Sequence, residues 1–246
     1  MDRVLIDIDQ GVMTLTLNRP QKKNALSQQM YRDLTTALVN AATNDAVNVV
    51  LLQGSADCFC AGNDLADFLD AGELNRTHPT VVFLYTLAAF AKPVVAAVSG
   101  LAIGIGTTAL LHCELVYAAD NARFQLPFTQ LGLCPEAASS LLLPQLVGYQ
   151  RAAQYLLLGE AFSAQEALQM GMVNQVVTTT ELASLAKTKA LKLAALPAAA
   201  VQASKALMRP ERHQLACDVI AAELTQFQKL LNGAECQKRI NAFFKR

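Results

Sequence analysis

Three short runs, residues 47–52, 93–98 and 115–119, are apolar on nearly every residue rather than on every second one. A strand with one face in water alternates, whereas a run without alternation has to be covered on both faces, as in a parallel sheet between two layers. Residues 4–8 and 12–17 are short alternating or β-rich runs split by Asp9-Gln10-Gly11, which predicts a hairpin. A helix is predicted next, with Ser27 as its cap and Met30, Leu34, Leu38 and Ala42 at helical spacing, until Asn44-Asp45 interrupts it. The run 93–98 leads through Ser99-Gly100 into a glycine-rich turn and a helix ending near His112. This alternation predicts an α/β core with buried strands and argues against a sandwich or a bundle.

The second half changes character. Capping boxes at Ser163-Ala-Gln-Glu166 and Thr178-Thr-Thr-Glu181 open helices, and Gly171 is placed to end the first of them. From residue 181 onward the chain is rich in Ala, Leu, Lys and Gln, with breaks at Pro197, Arg209-Pro210 and Asn232-Gly233. We expect a core over residues 1–196 and an all-helical module over 197–246. Such a module packs its apolar faces on a partner subunit or on the core.

Composition limits the partners. With 246 residues, 53% hydrophobic and 16% charged, the chain can bury a large core. Twenty Lys and Arg against twenty Asp and Glu leave no basic field for nucleic acid or an anionic membrane, so an anionic ligand has to be held locally. The N-terminus lacks a basic region followed by an apolar run, and no apolar stretch is long enough to span a bilayer, which predicts a cytoplasmic protein. Six scattered cysteines suggest free thiols, and three distant histidines suggest no metal site.

Two glycine loops follow two of the buried strands: Phe59-Cys-Ala-Gly-Asn-Asp-Leu65 and Ser99-Gly-Leu-Ala-Ile-Gly-Ile-Gly-Thr107. Each can expose backbone N–H groups, and two such loops facing each other make a two-donor oxyanion hole. Ordinary turns are the alternative for either loop alone. The spacing matches neither a dinucleotide fingerprint nor a phosphate loop, and no Gly-x-Ser-x-Gly elbow supports a serine hydrolase. Further along, Glu136 is the one charge in an otherwise uncharged and largely apolar stretch, 124–140. If buried, such a carboxylate has a raised pKa and can both take and return a proton; if exposed, a Pro-Glu pair simply opens the next helix.

The set Asn18-Arg-Pro-Gln-Lys-Lys-Asn-Ala-Leu26, the first glycine loop, Lys92-Pro-Val-Val-Ala-Ala-Val-Ser-Gly-Leu-Ala-Ile-Gly-Ile-Gly106 and Gly132-Leu-Cys-Pro-Glu136 resembles the crotonase (enoyl-CoA hydratase/isomerase) superfamily in order and interval. The resemblance covers essentially the whole chain. It implies a spiral of repeated ββα units, a C-terminal helical trimerisation region and acyl-CoA thioester substrates, with coenzyme A part of the substrate and no other cofactor. A homotrimer or a dimer of trimers is the implied assembly.

Residue by residue, the resemblance places oxyanion-hole donors at the N–H groups of Asn63 and Ile105. It places substrate or CoA contacts at Lys22, Lys23, Ala61, Gly62, Asp64, Leu65, Gly104, Phe128, Phe244 and Lys245. Hydratases of this family use two glutamates, and the matching positions here hold Thr108 and Phe128. Neither is a carboxylate, which disfavours standard hydration. Glu136 falls on the catalytic position of the Δ3,Δ2-enoyl-CoA isomerase branch, with Ala137 in place of a frequent Gly. The expected activity is therefore a shift of the double bond of 3-enoyl-CoA to the 2-position by one glutamate. A hydratase or other crotonase-type lyase, and a non-catalytic acyl-CoA-binding subunit, are the alternatives. Glu114 reads as a structural acid, and Asp64 and Asp67 as caps or orienting groups for the following helix.

Overall fold

The computed structural model describes residues 3–55, 58–69, 72–209 and 212–243. Strands β1 (Val4–Asp9) and β2 (Val12–Leu17) form the expected hairpin, with Asp9 opposite Val12. The two turn residues, Gln10 and Gly11, have φ of 48° and 80°, the left-handed pair that matches the twist of a two-residue hairpin. Helix α1 (Gln28–Thr43) is capped by the Ser27 hydroxyl, which accepts the Met30 N–H at 3.4 Å. Its buried face carries Met30, Tyr31, Leu34, Ala37, Leu38 and Ala41. Ala42, expected in that stripe, is exposed, because from Leu38 the 3.6-residue period carries the buried face to Ala41.

The remaining elements are β3 (Val49–Gly54), α2 (Leu65–Leu69), α3 (Pro79–Ala89), β4 (Val94–Val98), β5 (Leu101–Ile103), α4 (Ile105–Thr108), β6 (Leu115–Ala119), β7 (Arg123–Gln125), α5 (Ser139–Val147), α6 (Tyr149–Ala153), β8 (Phe162–Ser163), α7 (Ala164–Gln169), β9 (Gln175–Val177), α8 (Thr179–Ala194), α9 (Ala198–Met208), α10 (Arg212–Leu231) and α11 (Ala234–Phe243). Both predicted capping boxes are present, at Ser163 and Thr178.

Six strands form one sheet in the order β1-β2-β3-β4-β6-β9, parallel from β2 onward, and β5-β7-β8 form a second. The chain takes the same step twice: β4 in the large sheet, β5 in the small one, then α4; β6 in the large sheet, β7 in the small one, then α5. That is the ββα spiral the resemblance implies. The small sheet was not legible from periodicity, because strands of two or three residues have too few positions to show a period.

The apolar runs are buried on both faces. Val49, Leu51, Val95, Ala97, Tyr117 and Ala119 pack on Leu182, Ala186, Ala190 and Ala194, which recur every four residues along α8. Val50, Leu52, Val94, Ala96, Val98, Val116 and Ala118 face the other way, into the main core. The expected boundary near residue 196 lies in the connection between α8 and α9. Beyond it, Ala216, Ile220, Phe227, Leu231, Cys236 and Ile240 belong to the same buried cluster as the sheet.

An internal ionic cluster fastens α9 to the sheet. Glu114 accepts the Val94 N–H at 2.8 Å and lies 3.0 Å from Lys205 Nζ and 2.9 Å from Arg209 Nη2. Lys205 also donates to the Lys92 carbonyl at 2.9 Å. Glu114 thus has the structural role read for it. Burial pulls the Lys205 ammonium below its ordinary pKa, against the opposing charge of Glu114. Replacing Glu114 by Gln strands that buried cation and is expected to lower the unfolding free energy by about 3–5 kcal/mol in urea titration. Adding Lys205→Met to that variant should recover part of the loss; an unchanged urea midpoint for Glu114→Gln would contradict this account.

Candidate active site

The two glycine loops lie against each other. The Cys60 N–H donates to the Leu101 carbonyl at 2.8 Å, and the Ile103 N–H donates to the Cys60 carbonyl at 2.9 Å. Two glycines make this approach possible. Gly62 has φ +97°, and a Cβ there would sit 3.2 Å from the Ile103 carbonyl oxygen; a Cβ on Gly106 would sit 2.7 Å from that of Cys60. Gly104, with φ +54° and ψ −119°, starts α4, and its carbonyl takes the N–H groups of Thr107 and Thr108. Among the described residues, the N–H groups of Asn63 and Ile105 donate to no protein acceptor. The structure thus brings both predicted donor loops together, with α4 starting at one of them.

The segment before the first loop is tied to it through Asn24, which sequence reasoning passed over. This side chain is fully buried; it donates to the Cys58 carbonyl at 2.6 Å and accepts the Arg19 N–H at 2.8 Å. Lys23 is exposed at its side chain, while its carbonyl accepts the Ala61 N–H at 3.0 Å, so Lys22 and Lys23 stand at the rim of the first loop. Asp64 is paired with Arg19 at 2.7 Å; burial pushes its carboxyl up, but Arg19 and the Asp67 and Ala66 amides hold it below its ordinary pKa. Asp67 accepts the Gln28 N–H at the start of α1. Leu65 opens α2 and packs partly on the core, and Phe128 is buried in that core. Phe244 and Lys245 lie outside the described residues.

Glu136 is 5% exposed, so it is not a surface residue opening a helix. Helix α5 begins three residues later, at Ser139. Between them Ala137 and Ala138 both adopt left-handed backbone, with φ of 56° and 57°, at a cost of roughly 1–2 kcal/mol each for residues with a Cβ. The position where the resemblance leads one to expect Gly is thus one where Gly is the unstrained choice. The Ala137 carbonyl meets His112 Nε2 at 2.8 Å, and the Ala138 N–H donates to Glu223 at 2.7 Å.

The Thr108 hydroxyl donates to Glu136 Oε1 at 2.5 Å, which joins the carboxylate to the helix that starts at the second loop. Burial pushes the Glu136 carboxyl up to about 8; the Thr108 hydrogen bond pulls the other way, and the Glu223 carboxylate pushes further up. The Tyr31 hydroxyl donates to Asn63 Oδ1, so α1 steadies the residue that carries the first N–H donor. Burial keeps the Tyr31 hydroxyl well above its ordinary pKa, with the charge of Glu136 adding to it. Burial likewise holds the Cys60 thiol at about 12. Tyr31 had the signature of a core residue beside Leu34, and no local signal separates the two roles. Glu223 lies 87 residues beyond Glu136, where spacing carries no information.

With this geometry the chain belongs to the enoyl-CoA hydratase/isomerase family, the crotonase superfamily, whose sequence model matches residues 7–246. It is 36% identical over 99% of its length to rat enoyl-CoA delta isomerase 2, of which it spans 63%. It is 34% identical to the 2,3-dehydroadipyl-CoA hydratase of Escherichia coli K12, covering 97% of that enzyme and all of this chain. Among solved structures, the enoyl-CoA hydratase/isomerase of Pseudoalteromonas atlantica T6c superposes with a TM-score of 0.96 at 38% identity, over 99% of this chain and 97% of that one. OdaA of Pseudomonas aeruginosa gives 0.97 at 40% identity over the full length of both chains.

A carboxyl that titrates near 8 in the fold and near 4.5 unfolded stabilises the protein by holding a proton, fully below pH 4.5, and this contribution is lost as pH rises through 8. Across that window Glu136 should lower stability by about 1.4 kcal/mol per pH unit. Glu136→Gln removes the titration, so the variant is expected to gain on the wild type with rising pH in urea unfolding. Parallel stability profiles for the two proteins would refute a raised Glu136.

Proposed function

We propose that this protein is a Δ3,Δ2-enoyl-CoA isomerase. The carrying observation is a buried carboxylate, Glu136, bonded to Thr108 next to two apposed glycine loops. Thr108 and Phe128 stand where the resemblance to hydratases calls for acids. The thioester carbonyl of a 3-enoyl-CoA lies between the N–H groups of Asn63 and Ile105. Glu136 takes a proton from C2; the electron pair passes into the carbonyl, and the resulting dienolate oxygen is met by both donors. The double bond shifts as the same carboxyl returns its proton to C4, giving 2-enoyl-CoA. No net charge or atom is lost, so one acid suffices, and a pKa near 8 suits a group that must both take and give a proton near neutrality.

Lys22, Lys23, Ala61, Gly62, Asp64, Leu65, Gly104 and Phe128 form the proposed surround of the acyl-CoA, with Phe244 and Lys245 from the C-terminus. Coenzyme A enters as part of the substrate, and the scheme requires neither metal nor redox cofactor. We place the enzyme in the cytoplasm as a homotrimer or a dimer of trimers. Among the described residues no helix is long and apolar enough to cross a membrane.

The test supplies 3-enoyl-CoA and follows the conjugated thioester by its absorbance. Wild-type kcat/KM is expected to rise with pH around an apparent pKa near 8. Glu136→Gln should lose about 10²–10⁴-fold. Full activity in that variant removes Glu136 from the mechanism. Faster hydration of 2-enoyl-CoA than isomerisation would select the hydratase reading, and acyl-CoA binding without either turnover would select a non-catalytic subunit.

A further inference from the structure

Helix α5 begins without a capping side chain of its own, since its N-cap residue is Ala138. The cap comes from α10 instead. Glu223 is buried, and its two oxygens accept three bonds: the Ala138 N–H at 2.7 Å, the Ser140 N–H at 3.0 Å and the Ser140 hydroxyl at 2.5 Å. Two of the N–H groups that a helix start leaves unpaired are thereby satisfied by a residue more than eighty positions away.

One of those bonds has a geometric consequence. The Ala138 N–H and the Ala137 carbonyl are the two ends of one peptide group, and the carbonyl end is held by His112 Nε2 at 2.8 Å. The peptide is therefore pinned from both sides, Glu223 on the N–H and His112 on the oxygen. Both flanking alanines are left-handed, so rotation of this peptide would relieve strain at Ala138 and re-aim the chain next to Glu136. We infer that Glu223 is a positioning residue: by holding the 137–138 peptide against its strain, it keeps the Glu136 carboxylate on Thr108 and beside the two glycine loops. This rests on the assignment of Glu136 as the proton shuttle.

A further contact places α10 over the same region: the Cys134 thiol donates to the Glu223 carbonyl at 3.7 Å. The C-terminal helices thus act on the site within one chain, whatever they do between chains. Glu223 also bears on the Glu136 titration. The titratable groups facing Glu136 are Tyr31, Cys60, Cys134 and Glu223, with Thr108 as hydrogen-bond donor. Burial keeps the two thiols and the phenol protonated; it also raises the Glu223 carboxyl, but the bonds from Ser140 and Ala138 oppose that rise, which leaves Glu223, an acceptor in all three of its bonds, as the like charge.

The experiment compares wild type, Glu223→Gln, Ser140→Ala and Glu136→Gln as full chains, measuring kcat and KM for 3-enoyl-CoA, the pH profile of kcat and the urea midpoint. A carboxamide cannot accept at both ends, so Glu223→Gln is expected to lower kcat by about 10–10²-fold, with KM nearly unchanged. The acid limb of its profile should move to lower pH, because a like charge beside Glu136 is gone. Ser140→Ala, which removes only the hydroxyl donor, should lower kcat in the same direction by less. Wild-type kcat and profile in Glu223→Gln, with only the urea midpoint reduced, would make Glu223 an ordinary helix cap and overturn the inference. If Glu223→Gln does not fold, an unaltered kcat in Ser140→Ala overturns it instead. An inactive Glu136→Gln beside a wild-type-like Glu223→Gln refutes this inference alone; a fully active Glu136→Gln refutes the proton-shuttle reading as well.

Discussion

A carboxylate taken out of water favours its protonated form, and the arrangement around Glu136 follows from that cost. Burial alone would leave the acid neutral and inert as a base. The Thr108 hydroxyl gives the charged form one short hydrogen bond, which opposes burial without cancelling it. The neighbouring Tyr31, Cys60 and Cys134 are themselves pushed up by burial and carry no charge near neutral pH. In the proposed reaction the developing negative charge is met by oriented backbone: the N–H groups of the two loops and the start of α4. Such preorganised dipoles are worth most where solvent is excluded.

The fold supplies that arrangement by a repeated manoeuvre. Strands β4 and β6 of the large sheet each hand the chain to a short strand of the small sheet before a helix begins. The second glycine loop is the β5–α4 turn in that step, and the Glu136 loop follows β7 one unit later. Cys60 is bonded to Leu101 and Ile103, so the first loop is zipped to β5, while Asn24 and Tyr31 brace it from the N-terminal side. The strain stored at Ala137 and Ala138 is the local expense of turning sharply from a buried acid into α5. It is borne by His112 on one side and by α10 on the other.

Much of this was legible in the linear chain. The unbroken apolar runs, the hairpin, the Ser27 cap, the capping boxes and the breaks at Pro197 and Gly233 all depend on neighbours within four residues. At that range periodicity, capping and turn preference act directly on the backbone. The two glycine loops were legible too, since only residues without a Cβ allow such close approach.

The sequence by itself therefore determined the layered α/β class, the helix ends, the candidate loops and the single acid among uncharged neighbours. Only the tertiary structure decided that Glu136 is buried rather than at a helix start on the surface. It also decided that Thr108 is its partner, that Tyr31 serves Asn63 rather than only the core, and that Glu223 reaches back to the turn after Glu136. The physical reason is common to all four: burial and hydrogen bonding between residues 28 to 85 positions apart depend on where the chain returns in space, and no local preference encodes that return.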